Sequence, residues 1–230
     1  MIDEVKPRSD LGVRTLSGVV MMGVAALAIW IGGWAFRLFI LLVAVGLLRE
    51  WLRLAWKLRS DIAGRLVWAV GGLLYIGLAT AILAFLRETS ELYMVLTIIG
   101  VVIATDTGAY FAGRAIGGPK IAPRVSPSKT WAGLAGGMAA SAGLVTGVGS
   151  YVESFALWQP LLGAALAMIA QAGDFFESWM KRRAGVKDSG SLIPGHGGLF
   201  DRADGLLAVL FAVALILGFV HFDLLWTSLA

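Results

Sequence analysis

Seven mostly apolar runs, each about the twenty residues that a helix needs to cross a bilayer, leave this chain little choice of architecture. They fall at roughly 14–32, 35–55, 66–86, 92–113, 131–150, 155–177 and 204–222. The predicted fold is all-α: a polytopic membrane helix bundle of about seven transmembrane helices. Composition agrees, since 58% of the residues are hydrophobic and 15% charged, against about 45–50% and about 25% in soluble domains. Only Gly32 to Trp34 separate the first two runs, which predicts a tight helical hairpin. No internal repeat and no long linker is visible, so residues 1–230 read as one domain. The chain has no cysteine, which excludes disulfides and thiolate metal sites. The charged opening residues lack a signal-peptide pattern, so the first run reads as a retained span.

The basic residues orient the bundle. With the N-terminus in the cytoplasm, all of the 19 Lys and Arg residues except Arg37 and Arg87 fall on the cytoplasmic side. The positive-inside rule predicts such a bias, and a wrong helix count would scramble it. The net charge of +4 therefore reports topology, and no nucleic-acid partner is expected. The run from Thr130 to Ser150 is mostly Gly, Ala and Ser, with Gly133 and Gly137 spaced as GxxxG. Small residues let helices approach closely in lipid. This predicts a helix packed centrally in the bundle, with a dimer contact as the alternative use of that face.

Against this apolar background, acidic residues inside or beside the runs carry the functional information, because a charge in lipid needs a cavity, a cation or a partner. Asp174 and Glu177 are three apart near the end of one run, which puts them on one helix face. Glu177 either joins Asp174 or pairs with Lys181, four residues on. Asp201 and Asp204 repeat the three-residue spacing at the start of the last helix. There an Asp also serves as an ordinary helix-start residue. They follow a segment, Ser189 to Gly205, holding five glycines, Pro194 and His196. Asp106 lies inside a third run, two turns before Arg114. Beyond it, "SPSKT" supplies Ser126, Ser128, Lys129 and Thr130 as phosphate-binding groups, without the GxxxxGK[ST] spacing of a P-loop. All these segments fall at cytoplasmic ends. Carboxylates that suit a hard divalent cation and cations that suit phosphate point to phosphoryl or nucleotidyl transfer, which relies on positioning and charge neutralisation.

Ser178 to Asp204, "SWMKRRAGVKDSGSLIPGHGGLFDRAD", resembles the signature of the phosphatidate cytidylyltransferases. Ser178, Lys181, Arg182, Lys187, Asp188, Gly190, Pro194, His196, Gly197, Gly198, Asp201, Arg202 and Asp204 fall on its fixed positions. "DTGAYFAGRAIGG", "SPSKTWAG" and "QAGDFFES" also look like that family. Two positions depart from it: Ala203 replaces a larger residue, and Ala132 stands where members often carry Glu. The resemblance implies transfer of a cytidylyl group from CTP to phosphatidic acid, yielding CDP-diacylglycerol and pyrophosphate in phospholipid biosynthesis.

On that reading residues 14–86 form a scaffold and 92–222 a catalytic half. Asp174, Asp201 and Asp204 would hold Mg²⁺, with Mn²⁺ as the substitute and K⁺ as a second cation. Lys187, Arg202 and His196 would serve the reaction. Ser126, Ser128, Lys129, Thr130, Asp106, Arg114, Lys181, Arg182 and Asp188 would bind substrate. His196 either contacts phosphate or fixes its loop, and His221 is structural or interfacial. A homodimer in the bacterial cytoplasmic (inner) membrane, its site facing the cytoplasm, completes the expectation. The alternatives are a CTP-dependent lipid-alcohol kinase and a small ion-coupled transporter.

Overall fold

The computed structural model describes residues 11–90, 92–192 and 197–229. Among them are seven helices, so the all-α reading holds. They are α1 (Leu11–Ile31), α2 (Gly33–Leu58), α3 (Ile62–Thr89), α4 (Leu92–Ala115), α5 (Trp131–Tyr151), α6 (Gln159–Arg183) and α7 (Phe200–Leu229). α3, α4 and α5 are long and apolar enough to cross a membrane, and Thr15–Ile31 is a shorter apolar helix. One element was not foreseen: β1 (Lys120–Ala122) and β2 (Ser126–Thr130) form an antiparallel hairpin in the α4–α5 connection. "SPSKT" is therefore a strand with a fixed register, Lys120 opposite Thr130 and Ala122 opposite Ser126.

Local chemistry explains where elements start and stop. Gly32 and Gly33 both have positive φ, which lets the α1–α2 link turn within two residues. The side chain of Asp61 caps α3 by accepting the Gly64 N–H at 2.6 Å, and that bond holds its carboxyl below the usual carboxylate range. Thr130 caps α5 in the same way, accepting from Gly133 N at 3.0 Å. α6 runs on through its basic cluster to Arg183, so Asp174 lies more than two turns inside it. It ends in a Schellman-type turn: Gly185, at φ 67°, follows the last turn, and Val186 N–H donates to Lys181 O at 3.0 Å.

Packing differs between the two sides of the bundle. α2, α3, α6 and α7 meet through aromatic rings, with Trp51 against Trp68, Tyr75, Phe176 and Phe200 at 5.7–5.8 Å between centroids. The Trp51 indole N–H donates to Trp68 O at 2.8 Å, which satisfies the one polar atom of a buried ring. α4 and α5 meet backbone to backbone. A Cβ on Gly136 would fall 2.7 Å from Gly108 O, and one on Gly137 would fall 2.8 Å from Thr105 O. Thr105 and Ser141 hydrogen-bond across this seam at 2.7 Å. The Gly133/Gly137 face of α5 is thus filled by α4, as the central-packing reading expects, and that face is not open to a second copy. On the side of Arg37 and Arg87, each of these basic residues has a partner: Arg37 pairs with Glu88, and Arg87 donates to Ile29 O at 2.7 Å, at the C-terminal end of α1.

The seam predicts a specific sensitivity. Gly136→Val should force α4 and α5 apart at an overpacking cost of about 1–3 kcal/mol. Gly143→Val, where nothing lies within 4 Å of a Cβ, should leave thermal unfolding in detergent unchanged. Equal melting temperatures for the two variants would contradict the close approach.

Candidate active site

One cavity of about 410 Å³ opens where the hairpin meets α4, α5 and α6, within the roughly 300–1,000 Å³ typical of small-molecule sites. Asp106, Arg114, Ser128, Lys129, Thr130 and Asp174 line it, together with Gln171, which sequence reading passed over. Six of the residues expected from sequence therefore converge, drawn from α4, β2 and α6. Lys129 is the hub. Its ammonium pairs with Asp174 and donates to Gln171 Oε1 at 2.8 Å. Gln171 in turn donates to Asp106 Oδ1 at 3.4 Å. The β2 strand is what allows this: it places Lys129 one residue before the α5 cap and aims it at α6. Arg114 lies at the rim with its Nη1 3.0 Å from Tyr110 Oη. Ser128 is exposed in the lining, whereas Ser126 is buried and Thr130 is committed to its cap.

A second polar cluster lies at the start of α7. Lys181 donates to Asp201 Oδ1 at 2.7 Å and pairs with Glu177 Oε2 at 2.6 Å. The Glu177–Lys181 pair is the i, i+4 alternative raised by the sequence, but it is buried and shared with a third charge. Asp201 also accepts Ser189 N–H at 3.0 Å and Gly198 N–H at 2.8 Å. Asp201 thus ties down both ends of the loop that precedes α7. Lys181 turns inward to these acids, whereas Arg182, Lys187, Asp188 and Arg202 are exposed. His196, on the signature, lies outside the described residues, as does the side chain of His221.

A residue absent from the sequence reading completes this cluster. Glu50 of α2, only 3% exposed, accepts Leu199 N–H at 3.1 Å and Phe200 N–H at 2.8 Å. It thereby satisfies orphan amides at the α7 N-terminus. The Ser189 hydroxyl lies 3.0 Å from both Glu50 Oε2 and Asp201 Oδ2, one proton serving two carboxylates. A side chain on Gly190 or Gly198 would strike Glu50. A buried acid in an apolar run was the available signal, but its partners lie about 150 positions downstream.

Among the described residues no three Asp, Glu or His side chains converge within metal-ligating reach of one point. Asp201 is saturated by Lys181 and loop amides. Asp204 couples electrostatically to Asp174 and Asp106, with Lys129 as the opposing charge. Asp106, Asp174 and Asp204 supply the hard oxygen donors that a divalent cation takes, but among the described residues they do not gather at one point.

Known proteins resemble this chain over most of its length. A cytidylyltransferase family model matches residues 57–220. The phosphatidate cytidylyltransferase of Brucella melitensis biotype 1 is 36% identical, the alignment covering 87% of this chain and 90% of that protein. The phosphatidate cytidylyltransferase of Rickettsia felis is 33% identical over 92% of this chain and 95% of that protein. The matched segment contains the hairpin, Asp106, Asp174, Asp201 and Asp204, and on this footing the chain belongs to the cytidylyltransferase family.

Proposed function

We propose that this chain transfers the cytidylyl group of CTP to phosphatidic acid, forming CDP-diacylglycerol and pyrophosphate at the cytoplasmic face of a bacterial inner membrane. The observation that carries the reading is the Lys129–Asp174 pair in the 410 Å³ cavity, in a chain of the cytidylyltransferase family. A phosphate oxygen of the lipid attacks the α-phosphorus of CTP. The new P–O bond forms as the bond to the bridging α–β oxygen breaks, and the electron pair leaves on pyrophosphate. The nucleophile is already anionic near neutral pH, so no general base is required. The main barrier is like-charge repulsion.

Lys129 answers that barrier by presenting an ammonium to the triphosphate, with Arg114 and Ser128 at the same wall. Gln171 holds Lys129 in place through its side-chain oxygen. Asp174 and Asp204 would hold Mg²⁺, or Mn²⁺ in its place, with K⁺ as a second cation. When bound, the divalent ion supplies further charge neutralisation on the phosphates. Asp201, the third ligand expected from sequence, joins that set only by releasing Lys181, and otherwise it fixes the loop. Asp106 adds to the field that draws the cations. Lys187, Arg202, Arg182, Asp188 and His196 remain candidates from the resemblance for contacts made once substrate is present.

Seven spans with a cytoplasmic N-terminus place this cavity and the loop before α7 on one side of the membrane. The Lys and Arg distribution supports that orientation, and α2, α6 and α7, at 26, 25 and 30 residues, have the length to span. The homodimer implied by the resemblance would use a surface other than the Gly133/Gly137 face of α5.

Lys129→Ala should lower kcat/KM for CTP by about 10–150-fold, the equivalent of one charge-assisted contact of about 1.5–3 kcal/mol, and change the KM for phosphatidic acid far less. Lys129→Arg should recover only part, because a planar guanidinium replaces a compact ammonium. Kinetics of pyrophosphate release decide this, and a variant within twofold of the parent would remove Lys129 from the site. Asp174→Asn should cost about 10²-fold or more in turnover at fixed Mg²⁺, from several kcal/mol of lost charge stabilisation. Near-parental turnover would remove Asp174 from the metal site.

The orientation has its own test, since the chain lacks cysteine. Single cysteines at the exposed positions Pro123 and Asp188 should resist an impermeant thiol reagent in intact cells and react in inverted vesicles. Labelling from opposite sides would refute a shared active face.

A further inference from the structure

A second cavity, of about 420 Å³, opens between α2 and the loop that precedes α7. It shares no lining residue with the Lys129–Asp174 cavity. Arg49, Glu50 and Arg53 of α2 form one wall, and Gly190, Ser191 and Leu192 of the loop form the other. Arg49 and Arg53 are one helical turn apart and both exposed. Among the described residues neither has a hydrogen bond or an ion pair. The adjacent acid does not neutralise them, because the Glu50 carboxylate is spent on the α7 amides and Ser189. The cavity therefore presents two uncompensated guanidinium groups beside an exposed serine and a glycine backbone.

What lies below these arginines identifies their ligand. Leu38, Leu42 and Val45 precede Arg49 at steps of three or four, on the same face of α2, and they are 48%, 63% and 59% exposed. Leu38 to Arg49 spans about 16 Å at 1.5 Å per residue, and half of a hydrocarbon core is about 15 Å. An apolar stripe the depth of one leaflet thus runs straight into the two guanidinium groups. Leu192, 47% exposed, adds an apolar rim. A soluble anion has no use for that stripe, whereas a phospholipid uses both parts at once. Two arginines match the two negative charges of a terminal phosphomonoester better than the single charge of a phosphodiester, and the guanidinium fork suits phosphate oxygens.

We propose that Arg49 and Arg53 capture the phosphate headgroup of a membrane lipid bearing a terminal phosphomonoester, its acyl chains lying along Leu38, Leu42 and Val45. The inference rests on the cytidylyl-transfer reading, for which such a lipid is the acceptor. It deepens that reading by giving the lipid a binding site distinct from the nucleotide cavity. The two arginines are a first point of capture that sets lipid affinity, and the lipid's phosphate leaves them for the Lys129–Asp174 cavity, where transfer takes place. Glu50 joins the two functions: the same side chain walls this cavity and fixes the loop that holds Asp201.

The test uses the full chain in mixed micelles, with the Arg49→Gln/Arg53→Gln and Arg49→Lys/Arg53→Lys double variants. Retention of radiolabelled phosphatidic acid is measured alongside pyrophosphate release. The Gln variant should lose lipid retention and raise the apparent KM for phosphatidic acid about tenfold or more, the scale of a lost charge-assisted contact, with the KM for CTP within about twofold. The Lys variant, which keeps the charge that sets topology, should fall between the Gln variant and the parent. Retention should be indifferent to millimolar inorganic phosphate and weaker for phosphatidylglycerol. Unchanged lipid retention in the Gln variant, a shift in CTP affinity instead, or displacement of the lipid by inorganic phosphate would each overturn the proposal. Arginine-dependent lipid retention with no pyrophosphate from the parent would instead leave the capture site standing and refute cytidylyl transfer.

Discussion

A carboxylate within a membrane bundle stays in place only if a cation or a set of amides answers it, and this molecule is organised around three such answers. Lys129 meets Asp174, Lys181 meets Glu177 and Asp201 together, and the α7 N-terminus meets Glu50. Removing one partner of a buried pair leaves an uncompensated charge and costs far more than the pair itself contributes. The three contacts therefore act as fixed points. They bind β2 to α6, α6 to α7, and α2 to the loop before α7, and apart from Arg114 and Asp106 of α4 the residues proposed to touch substrate hang from those elements.

The two packing regimes follow from what the fixed points require. α4 and α5 must come close enough for a hairpin between them to reach α6, so their interface is built from Gly108, Gly133, Gly136 and Gly137. α2, α3, α6 and α7 have wider spaces to fill, and Trp51, Trp68, Phe176 and Phe200 fill them. A rigid aromatic block under the loop gives Glu50 a stable position from which to cap α7. The glycine seam and the aromatic block thus hold the two halves of the charged network at their own depths.

The helices were legible because apolar runs of spanning length admit few other structures, and their observed bounds differ from the expected ones by no more than about two turns, most at the C-terminal ends of α6 and α7. Lys129, Asp106 and Asp174 were legible as chemistry, since ionisable groups stand out in apolar sequence. Their mutual geometry was not. β2 is a short polar strand paired to three residues, too brief for any periodicity to register. Glu50 escaped because its partners are backbone amides, which carry no sequence signature. Lys181 was read as a substrate ligand, whereas a long side chain at the end of α6 reaches back to Glu177 and across to Asp201. Arg49 and Arg53 entered only as markers of topology. The apolar stripe beneath them acquires meaning once the structure shows which residues of α2 remain uncovered.

Cytidylyl transfer is tested most directly by the fate of two labels. The purified protein is given phosphatidic acid and Mg²⁺ with CTP labelled at the α-phosphate, and in parallel with CTP labelled at the γ-phosphate. Attack at the α-phosphorus predicts that the α label enters the lipid fraction, while the γ label leaves entirely as pyrophosphate. Gamma label in the lipid, with CDP as the soluble product, would make the protein a kinase and contradict the account.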